Sequence, residues 1–167
     1  MRSRLALSLL IALPALASAH GAHVHGIATL DVALDGEQLT AHLEMPGDTL
    51  VGFERPPADD AERAKLAEAK AVLSSPPRWI APSLDAGCAL TANTLDASGF
   101  AAAHGGHADV DVELAWRCAV PARLDALDVL LFGHFPRLER VTVNLVLPDR
   151  QDTRVLTPGA TRVRLAP

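Results

Sequence analysis

The chain of 167 residues lacks features that mark several common classes of protein. It has no excess of positive charge, because 15 Lys and Arg against 20 Asp and Glu give a formal net charge of −5. Binding to duplex nucleic acid depends on cations that displace counterions from phosphate, so we exclude that class. Hydrophobic residues make up 49% of the chain and charged residues 21%, which is typical of a folded globular protein.

The motifs of common hydrolases and nucleotide-binding enzymes are also missing. After residue 19 the sequence has no GxSxG, no HExxH, no glycine-rich phosphate loop and no dinucleotide fingerprint. An HxH pair occurs at His23 and His25, but the cupin pattern needs a Glu shortly after it, where this chain has Thr29 and Leu30. We therefore expect a binding protein without catalytic residues rather than an enzyme.

Residues 1–19 have the order of a cleavable export signal. Two arginines, at positions 2 and 4, precede the apolar run from Leu5 to Leu13, and Ala17-Ser18-Ala19 follows a proline. The apolar stretch is shorter than the roughly 18–20 residues of a membrane anchor, and no later stretch is longer. We expect cleavage before His20, a periplasmic location and one domain over residues 20–167.

The sequence contains only two cysteines, Cys88 and Cys118. Each lies in a strand-like segment, and an exported protein can keep a disulfide, so we predict a bond between neighbouring strands. Closing a loop of about 30 residues adds roughly 3–4 kcal/mol of stability in the chain-entropy model. A thiolate metal site is the alternative, but the two cysteines have no CxxC spacing.

Apolar residues alternate from Val24 onwards, which predicts a half-buried strand followed by a hairpin turn at Asp35-Gly36. The return strand ends at Pro46. With the turn at these two residues, Val32 faces Leu39 in the expected register. The polar side of the ribbon then holds six residues: His23, His25, Thr29, Asp31, His42 and Glu44.

Asp59 and Glu62 form a capping-box pattern ahead of a helix over Ala61 to Leu73. Most of the remaining apolar segments alternate with a period of two, as in strands. We therefore predict a β-rich α+β fold: a mostly antiparallel sheet of about six to eight strands, one main helix and one disulfide.

Two histidine clusters are candidate metal sites. His23 and His25 project to one face of the predicted strand, where Glu44 and His42 also lie, and zinc favours three or four such nitrogen and carboxylate donors. Ordinary solvent-exposed polar residues are the alternative interpretation. His20 adds a free amine after cleavage and could bind Cu²⁺, although Met45 is then the only thioether left.

The second cluster is the segment His104-Gly105-Gly106-His107, which precedes Asp109 and Asp111. Two histidines and two carboxylates on a glycine-containing loop are typical of a weak site that loads quickly, although a plain surface loop fits the same pattern. His134, within an apolar segment, is more typical of a packed or capped histidine than of a metal ligand.

Taken in order, several motifs resemble the ZrgA-type periplasmic zinc-binding proteins, formerly a proteobacterial domain of unknown function. They are His23-Val24-His25-Gly26, Leu43-Glu44-Met45-Pro46, Leu50-Val51-Gly52-Phe53-Glu54, the spaced Cys88 and Cys118, and Leu131-Phe132-Gly133-His134-Phe135-Pro136. The resemblance implies a non-catalytic exported protein that assists a zinc ABC transporter or its solute-binding protein. It also implies a His-rich loop before the second cysteine, a place that the short segment 104–107 occupies here.

From these observations we formulate a zinc hypothesis. His23 and His25, with Glu44 or Glu54 and with His42 as a further candidate, bind one Zn²⁺, while His104 and His107 bind a second, weaker ion. Imidazole must be neutral to bind metal, so affinity should fall below a pH of about 6.5. A copper protein that uses His20 and an interaction module without metal remain the alternatives.

Overall fold

A computed structural model describes residues 25–101 and 108–165. Six strands form the main sheet, in the order β4-β5-β2-β1-β7-β8. They are β1 (Ile27–Asp35), β2 (Gln38–Pro46), β4 (Cys88–Asp96), β5 (Asp109–Cys118), β7 (Arg140–Leu147) and β8 (Arg150–Leu156). A smaller sheet, in the order β3-β6-β9, comprises β3 (Ile80–Pro82), β6 (Ala126–Val129) and β9 (Arg162–Arg164).

Two α-helices, α1 (Gly47–Val51) and α2 (Asp60–Leu73), contribute to the core with the main sheet. The predicted main helix is confirmed as α2, and the Asp59 carboxylate accepts a hydrogen bond from the Glu62 backbone N–H at 2.8 Å. Leu66, Ala69 and Leu73 are buried, as the apolar stripe of an amphipathic helix requires.

The predicted fold class is confirmed: the chain is β-rich, with mostly antiparallel sheets. The Cys88–Cys118 disulfide is also confirmed, and it joins the paired strands β4 and β5. One feature of the main sheet was not predicted. The β1 and β7 strands are parallel, although more than a hundred residues separate them in the chain.

The predicted hairpin forms between β1 and β2, but its turn lies one residue later than expected. Asp35 pairs with Gln38, so Gly36 and Glu37 form the turn, and Val32 faces Ala41 instead of Leu39. Gly36 has a φ of 56° at the first turn position, where type II′ hairpins favour glycine. The alternation of buried and exposed residues is unchanged, because the register shifts by a full pair.

The first strand begins at Ile27 and not at Val24, because Gly26 turns the chain with a φ of 80°. The Gly26 N–H donates to the hydroxyl of Thr49 at 2.9 Å, and its carbonyl accepts hydrogen bonds from the N–H groups of Glu139 and Arg140. His25 therefore lies in a turn before the strand, and the polar row predicted for the ribbon does not extend to it.

Candidate metal centre

The side of the main sheet opposite the core, here called the open face, carries polar and small side chains in three rows. Strand register aligns each row across neighbouring strands. The carboxylate row is Asp96, Asp111, Glu44 and Thr29; the histidine row is Thr94, Glu113, His42, Asp31 and Asn144; the small-residue row is Ala92, Ala115, Thr40, Ala33 and Val146. None of these residues is Lys or Arg, so the rows form a negatively charged surface around one histidine.

His42 and Asp111 form the central pair of the open face. His42 Nε2 lies 3.1 Å from Asp111 Oδ1, and the two side chains are 41% and 45% exposed. Asp96 and Glu113 line the same surface depression. A backbone hydrogen bond from Ser98 N–H lowers the pKa of Asp96, which keeps that carboxylate negatively charged. An imidazole nitrogen and a carboxylate oxygen are both donors that Zn²⁺ accepts.

His25 forms a second histidine–carboxylate pair in the turn that precedes β1. Its Nδ1 lies 3.2 Å from Asp48 Oδ2, and the imidazole is 66% exposed. The same carboxylate oxygen accepts a hydrogen bond from Arg137 at 2.7 Å, and the Arg137 Nε donates to the Asp48 carbonyl. Asp48 therefore orients His25, and Arg137 already neutralises the negative charge of Asp48. A carboxylate behind an imidazole is also the usual outer shell of a metal-binding histidine.

The sequence profile of the ZrgA family of zinc uptake proteins matches residues 22–165. The chain belongs to the ZrgA family. No curated protein matches it. Within the described ranges of this family member, no helix is long and apolar enough to cross a membrane.

The predicted site residues of this ZrgA family member fall into separate places. His25 and His42 belong to different carboxylate pairs. Glu44 faces Thr29 on β1, and Glu54 is half-buried with its Oε1 atom inside the protein. No three His, Cys, Asp or Glu side chains among residues 25–101 and 108–165 are gathered closely enough to hold a metal ion. The other predicted ligands, His20, His23, His104 and His107, lie outside the described residues.

One end of the main sheet is nevertheless where the histidine clusters join the described chain. The β1 strand starts there, β2 ends there, and β5 starts opposite Pro46. Ala108, the first described residue after segment 102–107, accepts a hydrogen bond from Gly47 N–H at 2.7 Å. The sheet thus brings His25, which follows residues 1–24, and Ala108, which follows residues 102–107, to the same end.

Sequence reasoning did not single out Asp96 and Glu113, which line the depression beside His42. It assigned Asp111, the third carboxylate of this depression, to the second histidine cluster. Asp109, Asp111 and Glu113 alternate with valines, which is the pattern of a strand with one acidic face. A strand over residues 110–118 was predicted from this alternation and is confirmed as part of β5, but Asp111 was grouped with the histidine loop before it. Only the pairing of β5 with β2 shows that its acidic face lies beside His42.

His134, and Arg55 next to the candidate ligand Glu54, contact groups outside the two histidine–carboxylate pairs. His134 Nε2 donates to the Arg78 carbonyl at 3.0 Å, which agrees with the predicted capped histidine. Arg55 bonds both carboxylate oxygens of Glu62 and lies over the Phe53 ring. Together with a hydrogen bond from Ala58 N–H, Arg55 lowers the pKa of Glu62 to about 2.

Proposed function

We propose that this ZrgA family member captures Zn²⁺ in the periplasm and assists its uptake by an ABC transport system, without catalysing a reaction. The observation that carries the proposal is the exposed His42–Asp111 pair within a surface of carboxylates. Family membership supports zinc as the ion. The predicted export signal supports the periplasm as the place of capture.

Charge makes the open face the better cation site of the two. Asp111 bonds His42, and its neighbours Asp96 and Glu113 add negative charge. Asp48, by contrast, shares its carboxylate with a guanidinium, which a divalent cation would have to displace or approach against repulsion. We therefore assign the main capture site to His42 and Asp111, and a weaker one to His25.

Calorimetric titration of the mature chain with Zn²⁺ tests the proposal. His42→Ala should lower zinc affinity at least about tenfold, because an imidazole donor is lost. The matched control is His134→Ala, which removes a histidine from a different part of the surface and should change affinity less than about twofold. A wild-type chain that binds no zinc, or a His42→Ala chain that binds it unchanged, would contradict the assignment.

The same titration with Cu²⁺ addresses the copper alternative. Most nitrogen and oxygen sites bind Cu²⁺ more tightly than Zn²⁺, so affinity alone does not decide between the two metals. The informative variant is His20→Ala: loss of copper binding with unchanged zinc binding would show an N-terminal copper site. The uptake role predicts that a deletion strain grows poorly in zinc-chelated medium, and that wild type but not His42→Ala with Asp111→Asn restores growth.

A further inference from the structure

A groove of about 500 Å³ lies on the open face beside the proposed zinc pair. His42, Thr94 and Glu113 line both this groove and the depression that contains Asp111. The small-residue row forms the other part of its lining, with three alanines and Val146. One edge of the groove therefore carries the proposed zinc ligand His42, and its floor is apolar. Its volume is typical of small-molecule sites.

The space exists because the sequence places alanines where a sheet surface usually carries larger side chains. Ala92, Ala115 and Ala33 follow one another across β4, β5 and β1, with only Thr40 between the last two. A hydrated metal ion gains nothing from such an apolar floor, because it would have to give up water contacts there. The floor suits the hydrocarbon part of an organic ligand.

The number of donors also points to an organic ligand. Zinc in proteins has four donors as a rule, and His42 with Asp111 supplies two. No third His, Cys, Asp or Glu side chain joins them in a preformed group within the part of the chain that the structure describes. A ligand in the groove would lie next to His42 and could supply the remaining donors.

Charge then limits which complexes fit. Asp31 and Glu113 line the groove and Asp111 lies beside it, so a complex of net positive charge is favoured and an anionic one is repelled. Asn144, which donates to Asp31 at 2.8 Å, and Thr40 provide polar contacts for the ligand. A zinc ion with one amino-acid ligand keeps a positive charge and combines apolar carbon with nitrogen and oxygen donors.

We propose that the open-face groove binds zinc as a positively charged one-to-one chelate with an amino acid, rather than as the bare hydrated ion. The inference rests on the proposed function and specifies its substrate. On binding, the hydrogen bond between His42 Nε2 and Asp111 Oδ1 breaks, and the neutral imidazole holds its proton on Nδ1. The two freed atoms then replace two water molecules on the zinc ion, and the amino acid keeps its own bonds to the metal. The organic part of the chelate lies on the alanine floor.

The probe is the one-to-one complex of Zn²⁺ with L-histidine, titrated into the mature chain and compared with Zn²⁺ alone at equal free-zinc concentration. The wild type should bind the chelate about tenfold more tightly than zinc alone. Ala115→Leu fills the groove and should abolish this advantage while zinc alone binds within about twofold of wild type. Ala71→Leu, on the exposed side of α2, is the matched control and should behave as wild type.

Ala33→Leu fills the same groove from a different strand, which guards against a folding defect specific to one variant. Nuclear Overhauser contacts between bound L-histidine and the methyl groups of Ala33 and Ala115 would place the ligand directly. Zinc binding without any advantage for the chelate, or an advantage that survives both leucine variants, would overturn this inference and leave the proposed function intact. Failure to bind zinc in either form would overturn both.

Discussion

The two histidine–carboxylate pairs of this protein differ in what stands behind the carboxylate. At the start of the sheet, Asp48 contacts both His25 and the guanidinium of Arg137, and its side chain is only 16% exposed. On the open face, Asp111 contacts His42 and is 45% exposed among other carboxylates. The same two residue types thus form a charge-compensated pair in one place and a pair with excess negative charge in the other.

Residue type and spacing do not by themselves define a cation site, because the groups around the carboxylate decide whether a cation is favoured there. A carboxylate that already has a guanidinium partner offers a cation little further stabilisation, whereas one among like charges gains from any cation that reduces their repulsion. In the sequence, the HxH motif draws attention to His25, while the isolated His42 has no motif. The surroundings in the fold reverse that order.

The largest expected effect comes from removing the carboxylate of each pair in turn. Asp111→Asn should abolish detectable zinc binding at the open face, because it removes a direct donor and part of the negative charge. Asp48→Asn should weaken binding at His25 about tenfold, the usual cost of losing an outer-shell partner. Long-range ¹H–¹⁵N spectra of the histidine rings can follow His25 and His42 separately. Equal losses in the two variants would show that the two pairs are alike.

Removing the disulfide should have the next largest effect, on the stability of the fold rather than on metal binding. Replacing Cys88 and Cys118 with Ala should lower the free energy of unfolding by roughly 3–4 kcal/mol, measured by denaturant titration. The bond closes the end of the β4–β5 pair opposite to Asp96 and Asp111. Zinc affinity at His42 should therefore stay within about threefold while the protein is folded. A large loss would mean that zinc binding on the open face depends on this covalent link.

Local patterns predicted much of the fold because they report on burial within one segment. The alternation in β1 and β2 fixed which residues face away from the core, so Asp31, His42 and Glu44 were placed on one side correctly. The capping pattern at Asp59 predicted the start of α2. Neither depends on where distant segments lie.

The site depends on contacts that the local pattern does not contain. Asp111 reaches His42 because β5 pairs with β2, and 69 residues separate the two side chains. His25 leaves the predicted strand because Gly26 adopts a positive φ and is held by Thr49 and by Glu139. Arg137 reaches Asp48 from a segment 89 residues away. Each of these pairings is non-local, so alternation and spacing alone did not predict them.

A smaller effect is expected from Arg137→Gln, which tests the comparison by making the first pair resemble the second. Loss of the guanidinium leaves Asp48 without its compensating charge, so zinc binding at His25 should strengthen by about three- to tenfold. Because Arg137 is 50% exposed and Asp48 only 16%, losing this ion pair should cost more than the about 0–1 kcal/mol of a surface pair, and denaturant titration checks that the variant remains folded. Histidine-ring spectra during zinc titration give the measurement, and the affinity at His42 is the internal control. Unchanged binding at His25 would show that Arg137 does not compete with the cation.

The smallest effect concerns another arginine–carboxylate pair, Arg55 and Glu62, which lies at neither histidine. Arg55 lowers the pKa of Glu62 to about 2, first through its side-chain hydrogen bond, with a further contribution from Ala58 N–H. A lowered pKa in the folded state stabilises the protein above the unfolded value of 4.5, and this contribution disappears as the pH falls towards 2. Arg55→Ala should raise the pKa of Glu62 part of the way to 4.5, because the backbone hydrogen bond remains, and should flatten the loss of stability between those pH values. Carboxyl-carbon titration by NMR measures the shift, and zinc affinity should not change. A change in zinc affinity would connect Arg55 to the metal sites. It would also remove the distinction between Arg137, which compensates a carboxylate of a candidate site, and Arg55, which only stabilises the start of a helix.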